Sequence, residues 1–324
     1  MLRLGIALDL RNPARYRRDP VELYRCALRL CEEADDLGID MVWVSEHHGF
    51  ADGYLPQPLT FLAAVAARTR RLRIASGVTV APLRPAALVA EEAAVVDLLS
   101  GGRLELGLGA GYVESEFAIY GAPGFRRRHR LTDACVGQIR RLWAEGVVTP
   151  APVQPSVPIW LGYQSPAGAK RAGLLGTGLL SARRDLIGPY RRALSEARHP
   201  ADSARMGGFL NMWITEDPER DWPVVAEHLS AQWSGYPRHA SGQRPTPADG
   251  PDAWRQRGLG AERGHLLVAT PEVAAGQLAD YVRGTPIDTV FTFAMLPGMP
   301  PELGRTHVRI LGTELLPRVR ALLS

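Results

Sequence analysis

Glu46, His47 and His48 end the run MVWVSEHHGF (41–50), where an apolar, β-preferring stretch stops on three ionisable side chains. Histidine gains and loses a proton near neutral pH, and a neighbouring carboxylate can fix which ring nitrogen carries it. Side chains alternate along a strand, so Trp43, Ser45 and His47 share one face while Val42, Val44 and Glu46 share the other. His47 is therefore the candidate for proton transfer, with Glu46 or a backbone carbonyl to hold its tautomer. Histidines that only hydrogen-bond loop backbone explain the run equally well. Metal binding fits poorly, because adjacent strand residues diverge and no HExxH or similar cluster occurs.

Other stretches could meet a ligand. In GLGAGYVESEF (107–117), glycines at 107, 109 and 111 would let backbone approach a bound molecule, although turn-making is the commoner reason for such spacing. In PIWLGYQSPAGAKRAGLLG (158–176), Ser165 is placed to cap a helix that has Pro166 at its first position. The unpaired amides of such a helix start, with the Ser165 hydroxyl, suit a phosphate as well as they suit no ligand at all. The basic run FRRRHR (125–130) could clamp an anion or simply face solvent. GVTVAPLRP (77–85) closes a strand with two prolines that force a rigid corner.

The elements that must position these residues alternate short apolar runs with longer periodic ones. The strands expected are Leu2–Asp9, Met41–Glu46, Leu72–Val80, Leu104–Gly109, Val157–Gly162, Gly178–Ala182, Gly207–Ile214 and Ile287–Ala294. Eight strands with intervening helices predict a single-domain α/β fold over residues 1–324, a (β/α)8 TIM barrel. An open doubly wound sheet is disfavoured, since LRNPARYRRDP and not a GxGxxG fingerprint follows the first strand. In a barrel His47 stands at the C-terminal mouth, where such enzymes keep their chemistry. Residues 235–264, rich in Gly, Pro and charge, form an insertion after strand 7 and are read as a lid, with a disordered excursion as the alternative.

The 324 residues are 46% hydrophobic and 22% charged, near the average for globular chains. The net charge of +4 is scattered, which argues against nucleic acid as a partner. Lys170 is the only lysine, a mark of GC-rich coding sequence. No run is long and apolar enough to span a membrane and no signal peptide opens the chain, so a cytoplasmic protein is expected. Cys26, Cys31 and Cys135 lack metal-ligand spacing and read as small core residues.

WVSEHHGF, the following PQPLTFLAAVAARTRRLRIASGVTVAPLRPAALVAEEAAVVDLLSGGRLELGLGAGYVESEF, and PIWLGYQSPAGAKRAGLLG resemble the bacterial luciferase-like monooxygenase family of flavin- or deazaflavin-dependent oxidoreductases. The resemblance runs from about Leu2 to Leu180 and resumes over 266–282. It implies a TIM barrel and places His47, after Glu46, at the active-site histidine. It places Gly77 and Val78 at a non-prolyl cis peptide that supports the flavin ring. Ala110 and Gly111, with Tyr112, fall beside the cofactor phosphate, and Gly162, Tyr163, Gln164 and Ser165 fall at the phosphate-binding helix start. Tyr54 lies in the segment 50–56 expected to contact substrate. Ala110 stands where luciferase-type enzymes can carry a phosphate-pairing arginine, so the phosphate would lean on amides, Ser165 and the run Arg126–Arg130. Tyr163 and Gln164 replace small residues of deazaflavin-using relatives. The function implied is oxygenation of a small organic substrate with dioxygen and reduced FMN from a separate NAD(P)H:flavin reductase, by a homodimer. Hydride transfer with F420 is the alternative, and a catalytically silent flavin-binding partner protein is a third reading.

Overall fold

A closed ring of parallel strands accounts for the alternation. The computed structural model describes residues 2–235 and 250–324. Its strands are β1 (Arg3–Leu8), β2 (Met41–Val44), β3 (Arg73–Ser76), β4 (Thr79–Val80), β5 (Leu104–Gly109), β6 (Ile159–Leu161), β7 (Gly178–Leu180), β8 (Met206–Phe209), β9 (Met212–Ile214), β10 (Leu267–Ala269) and β11 (Ile287–Met295). The main sheet runs β3-β2-β1-β11-β8-β7-β6-β5-β4, and β3 also pairs with β5, which closes it. β3 and β4 occupy one barrel position, broken by a cis peptide between Gly77 and Val78. Counted so, the barrel has the eight expected strands.

The expected seventh strand is not continuous. Gly207–Ile214 breaks after Phe209, and its second half leaves the barrel as β9 to pair with β10 in a small separate sheet. The main-chain N–H of Met212 donates to the Thr292 side-chain hydroxyl of β11 (3.1 Å) instead of to a main-chain carbonyl of that barrel strand.

Helices pack outside the ring: α1 (Pro20–Asp36), α2 (Pro58–Arg68), α3 (Ala86–Ser100), α4 (Glu114–Ile119), α5 (Arg128–Ala144), α6 (Pro166–Leu174), α7 (Ile187–Glu196), α8 (Pro218–Gly235), α9 (Pro251–Arg257), α10 (Pro271–Val282), α11 (Pro301–Ile310) and α12 (Leu316–Leu323). Several open on proline, whose missing N–H has no partner at that position anyway. Alternation divides the core in two. Val42, Val44, Ile74 and Leu106 pack against the helices, while Trp43, Trp160, Leu180 and Phe291 fill the barrel axis. Cys31 and Cys135 are buried as expected; Cys26 is only half-buried.

At the N-terminal end of the barrel Glu105 takes hydrogen bonds from Arg3 (2.5 Å), Arg73 (2.7 Å) and Trp160 Nε1 (2.6 Å). Burial alone would raise its pKa; Arg3, Arg73 and Arg205 more than offset that and hold the carboxyl below its ordinary range. This network seals the end opposite the candidate site. Among the described residues no helix is long and apolar enough to cross a membrane, and no group of three His, Cys, Asp or Glu is placed to hold a metal.

Candidate active site

The C-terminal mouth is built around a ledge. After Ser76 the chain bulges through the Gly77–Val78 peptide, and the Val78 side chain lodges between β5 and β6. A Cβ on Gly109 would lie 2.3 Å from Val78 Cγ2, and one on Gly162 would lie 2.6 Å from Val78 Cγ1. A Cβ on Gly107 would lie 1.9 Å from the Ser76 carbonyl oxygen. Gly107 and Gly109, read from sequence as room for a ligand, thus make room for the neighbouring strand's bulge. Gly111 differs: its φ of +70° is a conformation that favours glycine.

Beyond Val44 the chain leaves β2, and the alternation expected to carry Glu46 away from the mouth lapses. His47 Nδ1 lies 2.8 Å from Glu116 Oε1, and its Nε2 lies 2.8 Å from the Tyr112 hydroxyl. Glu116, on α4, also accepts the backbone N–H of His48 (2.9 Å) and is fully buried. The His47 ring stacks on Phe50 at 4.5 Å and meets Tyr54 edge-on at 4.6 Å. Tyr54 shares a 2.6 Å hydrogen bond with Ser45. Glu46, expected to orient His47, is engaged elsewhere: it binds His48 Nε2 (2.7 Å), Arg84 (2.7 Å) and the Val80 N–H (3.2 Å). A buried carboxylate needs a cation, and Arg84 supplies it.

On the opposite side Ser165 caps α6, its hydroxyl accepting from the Gly168 N–H at 3.2 Å. Tyr163 packs over this turn so closely that a Cβ on Gly168 would lie 2.4 Å from it. Arg171 of α6 pairs with Asp133 of α5, and Arg128 and His129 stand at the first turn of α5. The buried Nε of Arg128 finds no acceptor among the described residues. Burial, then the charges of Arg128 and Arg171, hold the His129 pKa below its ordinary value; burial likewise pushes up the Tyr163 phenol. Asp133 is the carboxylate of this corner, and Arg171 takes it up. The Gln164 amide is tied to the end of β7, through the Leu180 carbonyl (2.9 Å) and Ser181 (2.8 Å). Of the run FRRRHR, Arg128 and His129 border the site, while Arg126, Arg127 and Arg130 are exposed.

Both sides border one cavity of about 710 Å³. Glu46, His47, Tyr54, Gly77, Val78, Ala110, Gly111, Tyr112, Gly162, Tyr163, Gln164 and Ser165, all singled out from sequence, line it together. Sequence reasoning missed Glu116, Arg171, the aromatic wall of Phe209, Phe291 and Phe293, and Gln232 and Trp233 of α8. Glu116 lay inside a quoted motif, but only folding brings it to His47. Of the expected lid, residues 236–249 lie outside the described residues; α9 and Arg263 belong to its described part, and Arg263 borders the cavity.

Fold and site together define a (β/α)8 barrel with a ligand cavity at its C-terminal mouth, basic at one side and histidine-bearing at the other. The family model described as luciferase-like monooxygenase matches residues 2–288, and the chain belongs to that family. It is similar over its length to the crystal structure of the monooxygenase RslO1 from Streptomyces bottropensis, with 26% identity, a TM-score of 0.83, and coverage of 98% of this chain and 99% of that one. Over 181 residues it is 32% identical to an F420-dependent glucose-6-phosphate dehydrogenase of Amycolatopsis mediterranei (strain U-32), covering 50% of this chain and 53% of the relative. Over 161 residues it is 30% identical to the oxygenase component of a flavin-dependent trigonelline monooxygenase from Acinetobacter baylyi (strain ATCC 33305 / BD413 / ADP1), covering 45% and 44%. The chain thus matches about half the length of these two curated relatives.

Proposed function

We propose that this protein is a flavin-dependent monooxygenase that takes reduced FMN from a separate reductase and oxygenates a small organic substrate. The observation that carries the reading is the basic corner of Ser165, Arg128, His129 and Arg171, set across one cavity from the buried His47. Such a corner suits a phosphate: Ser165 and the α6 amides donate hydrogen bonds, Arg128 supplies charge beside the Arg171–Asp133 pair, and its unpartnered Nε gains an acceptor. Reduced flavin, when bound, supplies the electrons and the site of dioxygen activation. The protein's own part is to hold and shield. Val78, wedged against Gly109 and Gly162, gives the ring a firm support. Phe209, Phe291 and Phe293 exclude water and favour an apolar substrate. His47 handles protons, with Tyr112 and Tyr54 against its ring.

The full-length likeness to a monooxygenase supports oxygen chemistry, and the flavin-dependent relative supports a flavin; the dehydrogenase relative supports hydride transfer with F420 as the second reading. Oxygen uptake with photoreduced FMN, set against turnover of F420, separates them. Uptake with FMN and no F420 turnover is the expected result, and the reverse would overturn the choice. His47→Ala tests the third reading, a silent partner: the variant of an active enzyme loses turnover, whereas a protein with no turnover to lose supports the silent role. We also propose a homodimer. α3 exposes Leu88, Val95, Leu98 and Leu99 on its outer side beside Glu91, and an apolar group of that kind is normally covered.

A further inference from the structure

The geometry points to the Tyr112 hydroxyl, and not an imidazole nitrogen, as the group that exchanges protons with a molecule bound in the cavity. Tyr112 is then a catalytic residue, and His47 and Glu116 are positioning residues behind it. The inference deepens the proposed oxygenase reading and rests on that cavity being the reaction site.

His47 is boxed in. Its side chain is 7% exposed, and both ring nitrogens are engaged. Phe50 stacks on its face, and Tyr54 and Tyr112 stand edge-on to it. Glu116 Oε1 accepts from the backbone N–H of His48 as well as facing His47 Nδ1, so this oxygen serves as the acceptor of the pair. In the neutral ring the proton therefore sits on Nδ1, and Nε2 carries the lone pair. The partner of that lone pair, 2.8 Å away, is the Tyr112 O–H, which donates to it. Tyr112 itself is half-buried and borders the cavity. A proton leaving the cavity thus reaches the imidazole through the phenol.

The transfer balances. A bound hydroxyl gives its proton to the Tyr112 oxygen while the phenol proton passes to His47 Nε2. The ring becomes an imidazolium whose charge the Glu116 carboxylate offsets, and one proton has moved with no change in electron count. The reverse step returns it. This is the logic of a nucleophile–base–orienter chain, with a phenol in the leading place.

Two measurements test it. Nitrogen-15 spectra of histidine-labelled protein without cofactor should show the Nδ1–H tautomer for His47. Tyr112→Phe should leave that tautomer in place and shift the Nε2 signal towards that of a free pyridine-type nitrogen; an Nε2–H tautomer, or an Nε2 signal unmoved by Tyr112→Phe, would overturn the proposal. Stopped-flow reaction of reduced FMN on the protein with dioxygen, in light and heavy water, reads the function. Tyr112→Phe should slow the isotope-sensitive step about a hundredfold and leave FMN affinity within about twofold. Adding His47→Phe should cost little more, since groups acting as one unit are not additive. An undiminished rate in Tyr112→Phe would sink the inference. Failure of the wild-type protein to bind FMN would count against the flavin reading alone, and the nitrogen spectra would still decide the relay.

Discussion

Alanine at Gly109 or Gly162 should unseat Val78, and the cost can be worked from the packing. A Cβ at Gly162 would meet Val78 Cγ1 at 2.6 Å, but the Val78 Cβ only at 3.7 Å. At Gly109 the corresponding distances are 2.3 Å to Cγ2 and 3.3 Å to Cβ. Each alanine is thus an overpacking change directed at a single pair of methyl groups, expected to cost about 1–3 kcal/mol. Val78→Ala alone removes two methyls and should cost about 1 kcal/mol. Combining it with Gly162→Ala removes the overlap, so the pair should show a favourable coupling of at least about 1 kcal/mol in a double-mutant cycle. Gly109→Ala should be rescued less completely, because 3.3 Å remains tight. Gly107→Ala is the control: its neighbour is a backbone carbonyl at 1.9 Å, which no side-chain change relieves. Urea unfolding gives the stabilities, and FMN titration of the same variants reports whether the ledge still supports a ring. Unchanged stability in Gly162→Ala, or zero coupling with Val78→Ala, would refute the socket as the reason for these glycines.

The His129 pKa, depressed by burial and by Arg128 and Arg171, should rise when a phosphate dianion enters the corner; proton NMR of the ring with and without FMN measures this. By linkage FMN binding then takes up a proton, so affinity should strengthen as pH falls through the histidine range, and His129→Gln should flatten that dependence. His307, buried and stacked on Trp213 at 4.1 Å, has its pKa pushed down to about 4. The unfolded chain binds that proton first, so stability should fall by up to about 3 kcal/mol as pH drops from 6.5 to 4. Urea midpoints of His307→Phe should lack that component. Leu98→Glu, on the outer side of α3, should halve the mass measured by light scattering.

The barrel was legible because its signals are local and repeated: apolar runs of strand length alternate with periodic helical segments, several of which open on a proline. Its irregularities were not. The break after Phe209 depends on what Asn211 and Met212 meet in space, including a bond from the Met212 N–H to Thr292, 80 residues away. Strand alternation correctly sent Trp43 into the barrel and Val42 outward. It misplaced Glu46, because pairing ends at Val44 and the next residues follow the demands of Arg84 and His48. The candidate site was legible as single positions. Its couplings were not, since no local pattern links His47 to Glu116 or Arg128 to Arg171. The glycines were read with the right flexibility and the wrong neighbour: at 107 and 109 the close approach is by the chain itself.

Titration of the purified protein with oxidised FMN and, separately, with F420, repeated on Ser165→Ala and Arg128→Ala, tests the cofactor assignment most directly. Saturable FMN binding, weakened about tenfold or more by Arg128→Ala as loss of a charge-assisted phosphate contact requires, with no binding of F420, is the result expected. Binding of neither cofactor, or FMN binding indifferent to both substitutions, would contradict it.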